Sequence, residues 1–447
     1  MGLFLVPSSY AGRAGRAEPV FPRSCVIAVA AQGAEAYELV PPLEPGEWIA
    51  TSFISTSAKV EKIFATNRRV ISWNSFSNRI TQSVPLQNIP SQIAMTESAK
   101  WWLHRAAEGG ILEISQILRS GSAIRLERRG SQPVVDFQVH PFLNRILQVS
   151  NHPGEPLIRE IDLDAPEART FLEPATEAAH RWIANAKYLG TGQYASMVFG
   201  DGKQETEARV YDMVDPTCLE FTVFLPPFDL KRGAPHIHSS LRGQYLAYSS
   251  FLSPLESERA DPVLEVEIFP LPNHPDSLPR GVRVLHLEYE DLSPQIPTAP
   301  SDAGVVMKFT ANHRLLIGDP FGNIEMWNLA DGKQQDAFKA GELLWTFANV
   351  HPHQSSGKPS RVRALALSPR EDRFASGGED GSVRVIEMNA PYESVEVNTL
   401  IPNLGGRVID LEFMNDANQT LLVSVETPGA APGSPKPVKF FRLPTKR

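Results

Sequence analysis

The 447-residue sequence contains only two cysteines, Cys25 and Cys218. Two cysteines cannot form a disulfide framework, and this pair has no metal-ligand spacing. They therefore indicate a reducing intracellular compartment, the cytoplasm or the nucleus. The sequence also lacks an apolar run of the about 18 residues that a membrane span requires. At the N-terminus a short apolar stretch precedes the arginines, the reverse of a signal peptide, and we expect residues 1–22 to form a flexible tail.

The sequence also lacks the short motifs that indicate common catalytic, nucleotide-binding and metal sites. It contains no G-x-S-x-G elbow, P-loop, G-x-G-x-x-G, H-E-x-x-H or C-x-x-C motif. We therefore expect no enzyme activity and no cofactor. The 51 acidic and 43 basic side chains give a net charge of −8. A mildly acidic surface argues against direct binding of nucleic acid.

Helical patterns are scarce, whereas proline is abundant, with 38 residues against 30 glycines. Proline fits poorly into helices and central strands, so this composition favours short strands joined by many loops. Only Pro174–Ala186 and Ser98–Gly109 have a weak helical pattern, and neither is long enough to found a helical domain.

The most informative segment is RVRALALSPREDRFASGGEDGSVRVIEMN, residues 361–389. It predicts strands over Val362–Leu367, Arg373–Gly378 and Ser382–Met388. Asp380-Gly381 between the last two is a strong hairpin signal, because both residue types tolerate a positive φ.

The same succession of short strands recurs along the chain. Eight sets of strand-like runs cover residues 47–85, 91–128, 133–172, 181–225, 236–290 and three more from residue 304 to the C-terminus, after a leading hairpin. Four strands per unit and about 40–60 residues per unit are typical of a β-propeller. Such a ring needs strands from one chain end to complete the first or last unit.

The segment 361–389, together with GNIEMWNLADGK at 322–333, resembles the WD40-repeat family. The resemblance implies an all-β fold, a single propeller over residues 23–447, with seven blades, or eight, of four antiparallel strands. It assigns structural repeat positions to Gly322, Trp327, Ser376, Asp380 and Gly381.

The resemblance also implies a buried hydrogen-bonded set of Asp, His, Ser and Trp in each regular blade. In the best-preserved repeat the histidine is His351 or His353, and Ile386 stands at the tryptophan position. In the preceding repeat Trp327 is present, but Phe321 replaces the turn aspartate.

Two histidine pairs are candidate metal ligands. His236 and His238 would share one face of a strand, and His351 and His353 lie two residues apart in a loop. Neither pair has a third ligand nearby in the sequence, so we favour structural roles for both.

Arg128 and Arg129, followed by Gly130, form a weak lipid-binding candidate. Some phosphoinositide-binding propellers carry Arg-Arg-Gly between blades, where two arginines grip phosphates. Here Glu127 precedes the pair and the motif falls in an early blade. The plainer interpretation is a solvated arginine pair on a surface.

The sequence therefore predicts a non-catalytic protein-interaction scaffold, a dedicated subunit of one multiprotein complex. Its partners would be peptides or other subunits. Two alternatives stay open: a phosphoinositide-binding propeller, and a metal-dependent propeller hydrolase or lactonase with ligands at the central channel.

Overall fold

A computed structural model shows a ring of small antiparallel sheets. The structure describes residues 36–49, 55–58, 61–74, 77–86, 90–96, 101–106, 112–117, 123–126, 136–152, 155–165, 168–172, 182–200, 206–214, 219–225, 235–240, 242–252, 263–271, 283–289, 304–330, 341–351, 360–388, 395–402, 404–414, 420–426 and 438–443. Residues 1–22, predicted to form the tail, lie outside these ranges.

The described strands form eight sheets of four strands each, numbered here as blades 1 to 8 in chain order. Blade 1 contains β2 (Ser55–Ala58), β3 (Glu61–Ala65), β4 (Arg69–Asn74) and β5 (Arg79–Pro85). Blade 2 contains β6 (Pro90–Met95), β7 (Trp101–Ala106), β8 (Leu112–Ile117) and β9 (Ala123–Leu126). Blade 3 contains β10 (Asp136–Val139), β11 (Arg145–His152), β12 (Glu155–Asp162) and β13 (Ala168–Leu172). Blade 4 contains β14 (Trp182–Leu189), β15 (Tyr194–Gly200), β16 (Thr206–Asp212) and β17 (Leu219–Leu225).

The second half of the chain repeats this plan. Blade 5 contains β18 (His236–Ser239), β19 (Tyr245–Phe251), β20 (Leu264–Pro270) and β21 (Leu285–Tyr289). Blade 6 contains β22 (Val306–Phe309), β23 (Arg314–Gly318), β24 (Ile324–Asn328) and β25 (Glu342–Phe347). Blade 7 contains β26 (Val362–Leu367), β27 (Arg373–Gly378), β28 (Val383–Met388) and β29 (Val395–Ile401). Blade 8 contains β30 (Arg407–Phe413), β31 (Thr420–Glu426), β32 (Val438–Arg442) and, from the other end of the chain, β1 (Tyr37–Leu39).

The predicted architecture, an all-β propeller of four-stranded antiparallel blades, is confirmed. Of the two predicted blade numbers, seven and eight, the described strands give eight. The boundaries predicted in blade 7 match closely, because its turn residues and alternating strands agree with each other. In the set that begins at residue 47, the first described strand is β2, and Ile49 before it forms an isolated bridge to Thr66. The described parts of the two weakly helical segments are strands, Trp101–Ala106 and Trp182–Leu189.

The first strand of each blade lies nearest the ring axis. First strands of successive blades contact one another from β6 to β30. Charged side chains on these strands also influence one another across blades, since Lys308 of blade 6 affects the pKa values of His238 in blade 5 and Glu412 in blade 8.

The core lies between blades. Seven clusters of buried apolar side chains each join two successive blades, among them the cluster between blades 8 and 1. These clusters link the sheets in order from blade 2 to blade 8 and on to blade 1, as repeats that cannot bury a core alone require. Within the residues that the structure describes, no helix has the length and apolar character needed to cross a membrane.

Blade 8 closes the ring by two contacts. Strand β1 pairs antiparallel with β32, so that Leu39 lies opposite Phe440. The Phe440 ring then packs against blade 1, with its centroid 5.2 Å from that of Trp73 and 5.8 Å from that of Phe64. One strand from each end of the propeller therefore shares a sheet, and one aromatic cluster joins that sheet to the first blade.

The substitution Phe440→Ala should open this closure. Phe440 is 0% exposed, and truncating a buried phenylalanine costs about 3–5 kcal/mol. We expect a lower urea midpoint in chemical denaturation. The matched control is Phe224→Ala in β17, whose side chain is 77% exposed and which should shift the midpoint little. Equal midpoints for the two variants would contradict this account of closure.

Candidate functional site

A buried polar network around His351 ties blade 6 to blade 7. His351, which is 0% exposed, follows β25 and reaches the hairpin between β27 and β28. Its Nε2 lies 2.7 Å from Ser376 Oγ and its Nδ1 lies 3.0 Å from Asp380 Oδ1. The hydroxyl of Ser382 donates to Asp380 Oδ2 at 2.7 Å. Of the two candidate histidines, His351 occupies this place, whereas His353 lies outside the described residues.

The network governs the charge of Asp380. Burial alone raises the pKa of this carboxyl, but hydrogen bonds from His351 and Ser382 outweigh burial and bring the pKa below its ordinary value. The carboxylate is therefore held ionised against the imidazole. Ile386, at the position where the family has tryptophan, is fully buried in the cluster between blades 6 and 7.

The turn glycines fit between blades. Gly322 and Gly381 have positive φ values of 85° and 73°. A Cβ on Gly381 would lie 2.5 Å from the carbonyl oxygen of Gly406 in blade 8, and one on Gly322 would lie 2.5 Å from those of His351 and Ser360. Both positions require glycine for its backbone conformation and for its lack of a side chain.

Blade 6 uses a different polar set around Trp327. Trp327 Nε1 donates to Glu325 Oε2 at 3.0 Å, and the Tyr289 hydroxyl of blade 5 donates to the same oxygen at 3.1 Å. Burial raises the pKa of Glu325. Glu325 therefore joins blades 5 and 6, a role that the sequence pattern did not reveal because the residue is two positions before the tryptophan.

The turn aspartate of blade 6 is Asp319 rather than a residue at the Phe321 position. Its Oδ1 accepts hydrogen bonds from the backbone N–H groups of Phe321 and Asn323, at 2.9 and 2.7 Å. Burial, then the charge of Glu325, raise the pKa of Asp319 to about 7. This turn therefore contains an aspartate, Asp319, two residues before the position where the repeat pattern places it.

The histidine pair His236 and His238 lies on the axial strand β18. Burial, then Lys187 and His236, lower the pKa of His238 well below its ordinary value. Within the described ranges no carboxylate, thiol or further imidazole joins this pair at metal-ligand distance. The lipid-binding candidates Arg128 and Arg129 lie outside the described residues, so that alternative stays a prediction.

A cavity of about 540 Å³ opens where the first turns of blades 5, 6 and 7 meet. We call it the turn pocket; its walls are residues 309–312 and 369–372, with Ser240, Arg242, Gln244 and Met388. The three turns are built alike. Ser240 Oγ, Thr310 Oγ1 and Ser368 Oγ accept backbone N–H groups at the far end of their turns.

The turn pocket has an uneven charge distribution. Glu371 accepts the backbone N–H of Ala311 with both carboxylate oxygens, each at 2.8 Å, and Asp372 accepts the Ser368 hydroxyl. Arg242 and Arg370 occupy the same position of their turns and are exposed. Neither arginine forms a hydrogen bond or ion pair within the described part of the chain. The acidic groups are therefore engaged while the two guanidinium groups face solvent.

A second polar cluster lies on the outer half of blade 5, away from the axis. Glu265 and Glu267 of β20 face His286 of β21. Burial, then the charge of Glu267, raise the pKa of Glu265 to about 7. A Glu-x-Glu spacing in a strand places two carboxylates on one face of the sheet. This spacing was the sequence signal for the cluster, and the search for repeats overlooked it.

Solved structures show the same fold at low sequence identity. The C-terminal WD40 domain of Sif2 aligns with a TM-score of 0.58 and 11% identity, covering 93% of this chain and all of that one. BamB from Moraxella catarrhalis aligns with a TM-score of 0.49 and 14% identity, covering 93% of this chain and 98% of that one. The RRP9 WD40 repeats align with a TM-score of 0.47 and 12% identity, covering 92% of this chain and 99% of that one. No family model and no curated protein matches the sequence. The chain thus has the fold of a WD40 β-propeller domain.

The substitution Asp380→Asn should weaken blade 7. An amide cannot accept from both His351 and Ser382 as the carboxylate does, and a buried unpaired donor costs about 1–3 kcal/mol. We expect a corresponding fall in the free energy of unfolding in urea at neutral pH. The control is Glu379→Gln, which removes the adjacent charge, paired with Arg363 rather than with His351.

The same variant gives a pH test. Because the folded pKa of Asp380 lies below the unfolded value of about 3.9, its stabilisation is present above that value and lost as pH falls through the folded pKa. Wild type should lose this contribution between about pH 5 and the folded pKa, and Asp380→Asn should lack it. An unaltered pH profile in the variant would contradict the assignment.

Proposed function

We propose that this protein is a non-catalytic interaction scaffold, a dedicated subunit of a multiprotein complex, and that the turn pocket is its docking face. The observation that carries the proposal is the pair of exposed arginines, Arg242 and Arg370, on matching turns around a cavity spanning three blades. Rigid strands hold these turns, so a partner would meet a preformed surface.

The charge and the walls of the turn pocket favour an acidic segment of a partner protein. Guanidinium groups bind carboxylates with two parallel hydrogen bonds, and the two arginines flank Asn312 of the turn between them. Phe309, stacked on Tyr245 with ring centroids 6.0 Å apart, provides an apolar wall. A short acidic peptide with one apolar anchor would match this surface.

The buried polar networks support a scaffold over an enzyme. His351, Asp380 and Ser376 bond one another inside a blade and join it to its neighbour, with His351 fully buried. Their geometry stabilises the blade and presents no group to a substrate. We expect the protein in the cytoplasm or nucleus, in line with its two cysteines.

Charge reversal of the turn pocket tests the docking face. The double variant Arg242→Glu, Arg370→Glu should reduce recovery of stoichiometric partners in affinity purification with mass spectrometry by on the order of tenfold or more. The control is Arg79→Glu, an exposed arginine at the start of β5 in blade 1. The amount of partner protein recovered with this control variant should equal the amount recovered with wild type.

Two results would overturn parts of the proposal separately. Undiminished recovery with the double variant would place docking elsewhere on the ring. Recovery of no stoichiometric protein partner by the wild-type chain would contradict the scaffold function itself.

A further inference from the structure

We propose that Glu265, Glu267 and His286 form a binding site for a divalent cation of the zinc type on the outer half of blade 5. Their ligand atoms all lie within 4.8 Å of one another. The site lies on β20 and β21, the third and fourth strands of the blade, and is separate from both the axial channel and the turn pocket.

The register of blade 5 places the three side chains on one face. Glu267 lies opposite His286, and Glu265 opposite Glu288, so these side chains point to the same side of the sheet. Tyr248, which lies opposite Glu267 on β19, bonds Ser196 of blade 4 at 2.6 Å. The cluster therefore lies on the side of blade 5 that faces blade 4.

The distances match those of a tetrahedral ion. Two donor atoms, each 2.0–2.2 Å from zinc, are about 3.4 Å apart. His286 Nδ1 lies 3.3 Å from Glu265 Oε1 and 3.6 Å from Glu267 Oε1. One imidazole nitrogen and two carboxylate oxygens suit zinc and leave one position of the tetrahedron for water.

The carboxylates have unused ligand capacity. Glu265 and Glu267 are 7% and 6% exposed, respectively. The Oε2 atom of each is buried and accepts no hydrogen bond from any described residue. Two buried carboxylates side by side with unbonded oxygens are unfavourable without a cation between them.

The imidazole is oriented as a ligand. His286 Nε2 lies 3.1 Å from Glu288 Oε1, and in the tautomer that donates Nε2–H to this carboxylate, Nδ1 keeps its lone pair on the side of the two glutamates. A histidine that donates its other N–H to a carboxylate is the usual second-sphere arrangement of a metal ligand.

Arg283 supplies the positive charge in this structure. One guanidinium nitrogen contacts both Glu267 Oε1 and His286 Nδ1, the latter at 2.8 Å. The side chain of Arg283 is 49% exposed, so it can withdraw to solvent. A bound cation would take the place of this nitrogen and would hold the edge strand β21 to β20.

Titration of the metal-free full-length chain with Zn²⁺ tests the site. Calorimetry should show about one tight site per chain, and saturation should raise the melting temperature by on the order of 3 °C. Glu265→Gln with Glu267→Gln, or His286→Ala, should abolish both effects. His313→Ala, in the first turn of blade 6, should preserve both effects and so exclude non-specific binding of the ion to histidine.

Arg283→Met separates a cation site from a simple ion-pair network. If zinc displaces the guanidinium, this variant should bind Zn²⁺ more tightly, on the order of tenfold. The proposal fails if Arg283→Met loses stability and Zn²⁺ does not restore it, if wild type binds no Zn²⁺, or if the chain binds Mg²⁺ or Ca²⁺ but not Zn²⁺. These results are independent of partner docking at the turn pocket.

Discussion

The packing of one sheet face on the next is the constraint on which the whole molecule depends. A four-stranded blade buries its faces only against neighbours, so the ring is stable only when it closes. Closure here needs residues more than 400 positions apart, since Lys439 of β32 and Glu38 of β1 share a sheet and an ion pair at 3.5 Å. Formation of this pairing has a large loop-closure cost, which the aromatic contacts of Phe440 help to offset.

Buried polar contacts, like the apolar clusters, connect neighbouring blades. Two buried polar sets join two blades each: His351 with Asp380 and Ser376 between blades 6 and 7, and Tyr289 with Glu325 between blades 5 and 6. The residue types differ, yet in each of these two sets a carboxylate accepts a hydrogen bond that connects neighbouring blades. A low-dielectric interface makes such bonds specific in geometry and makes an unpaired member costly. This explains how blades of diverged sequence keep one common geometry.

The sequence predicted the fold well where local and long-range signals agree. Ser376, Asp380 and Gly381 specify turn and strand together, and the limits of β26 to β28 followed closely from them. No sequence pattern indicated the role of Glu47, next to the Pro45-Gly46 turn, whose carboxylate accepts hydrogen bonds from Thr66 and Arg69. Hydrogen bonds between residues 19 or 22 positions apart produce no periodic pattern from which they could be predicted. The sequence left the number of blades open at seven or eight for a similar reason. Blade 8 combines β1 with β30 to β32, and only the closed ring shows that these strands pair.

The candidate sites could not be predicted from the sequence, because the fold brings together residues that the repeat pattern does not relate. The turn pocket exists because equivalent turns of three blades converge, and Arg242 and Arg370 are 128 positions apart in the sequence. His286 and the two glutamates are likewise brought together by strand pairing across an intervening loop. A propeller places the same turn of each blade on the same rim, so a change at one turn position alters a continuous surface while the strands stay intact. Function can therefore diverge in the turns and on outer strands without any loss of the closed ring.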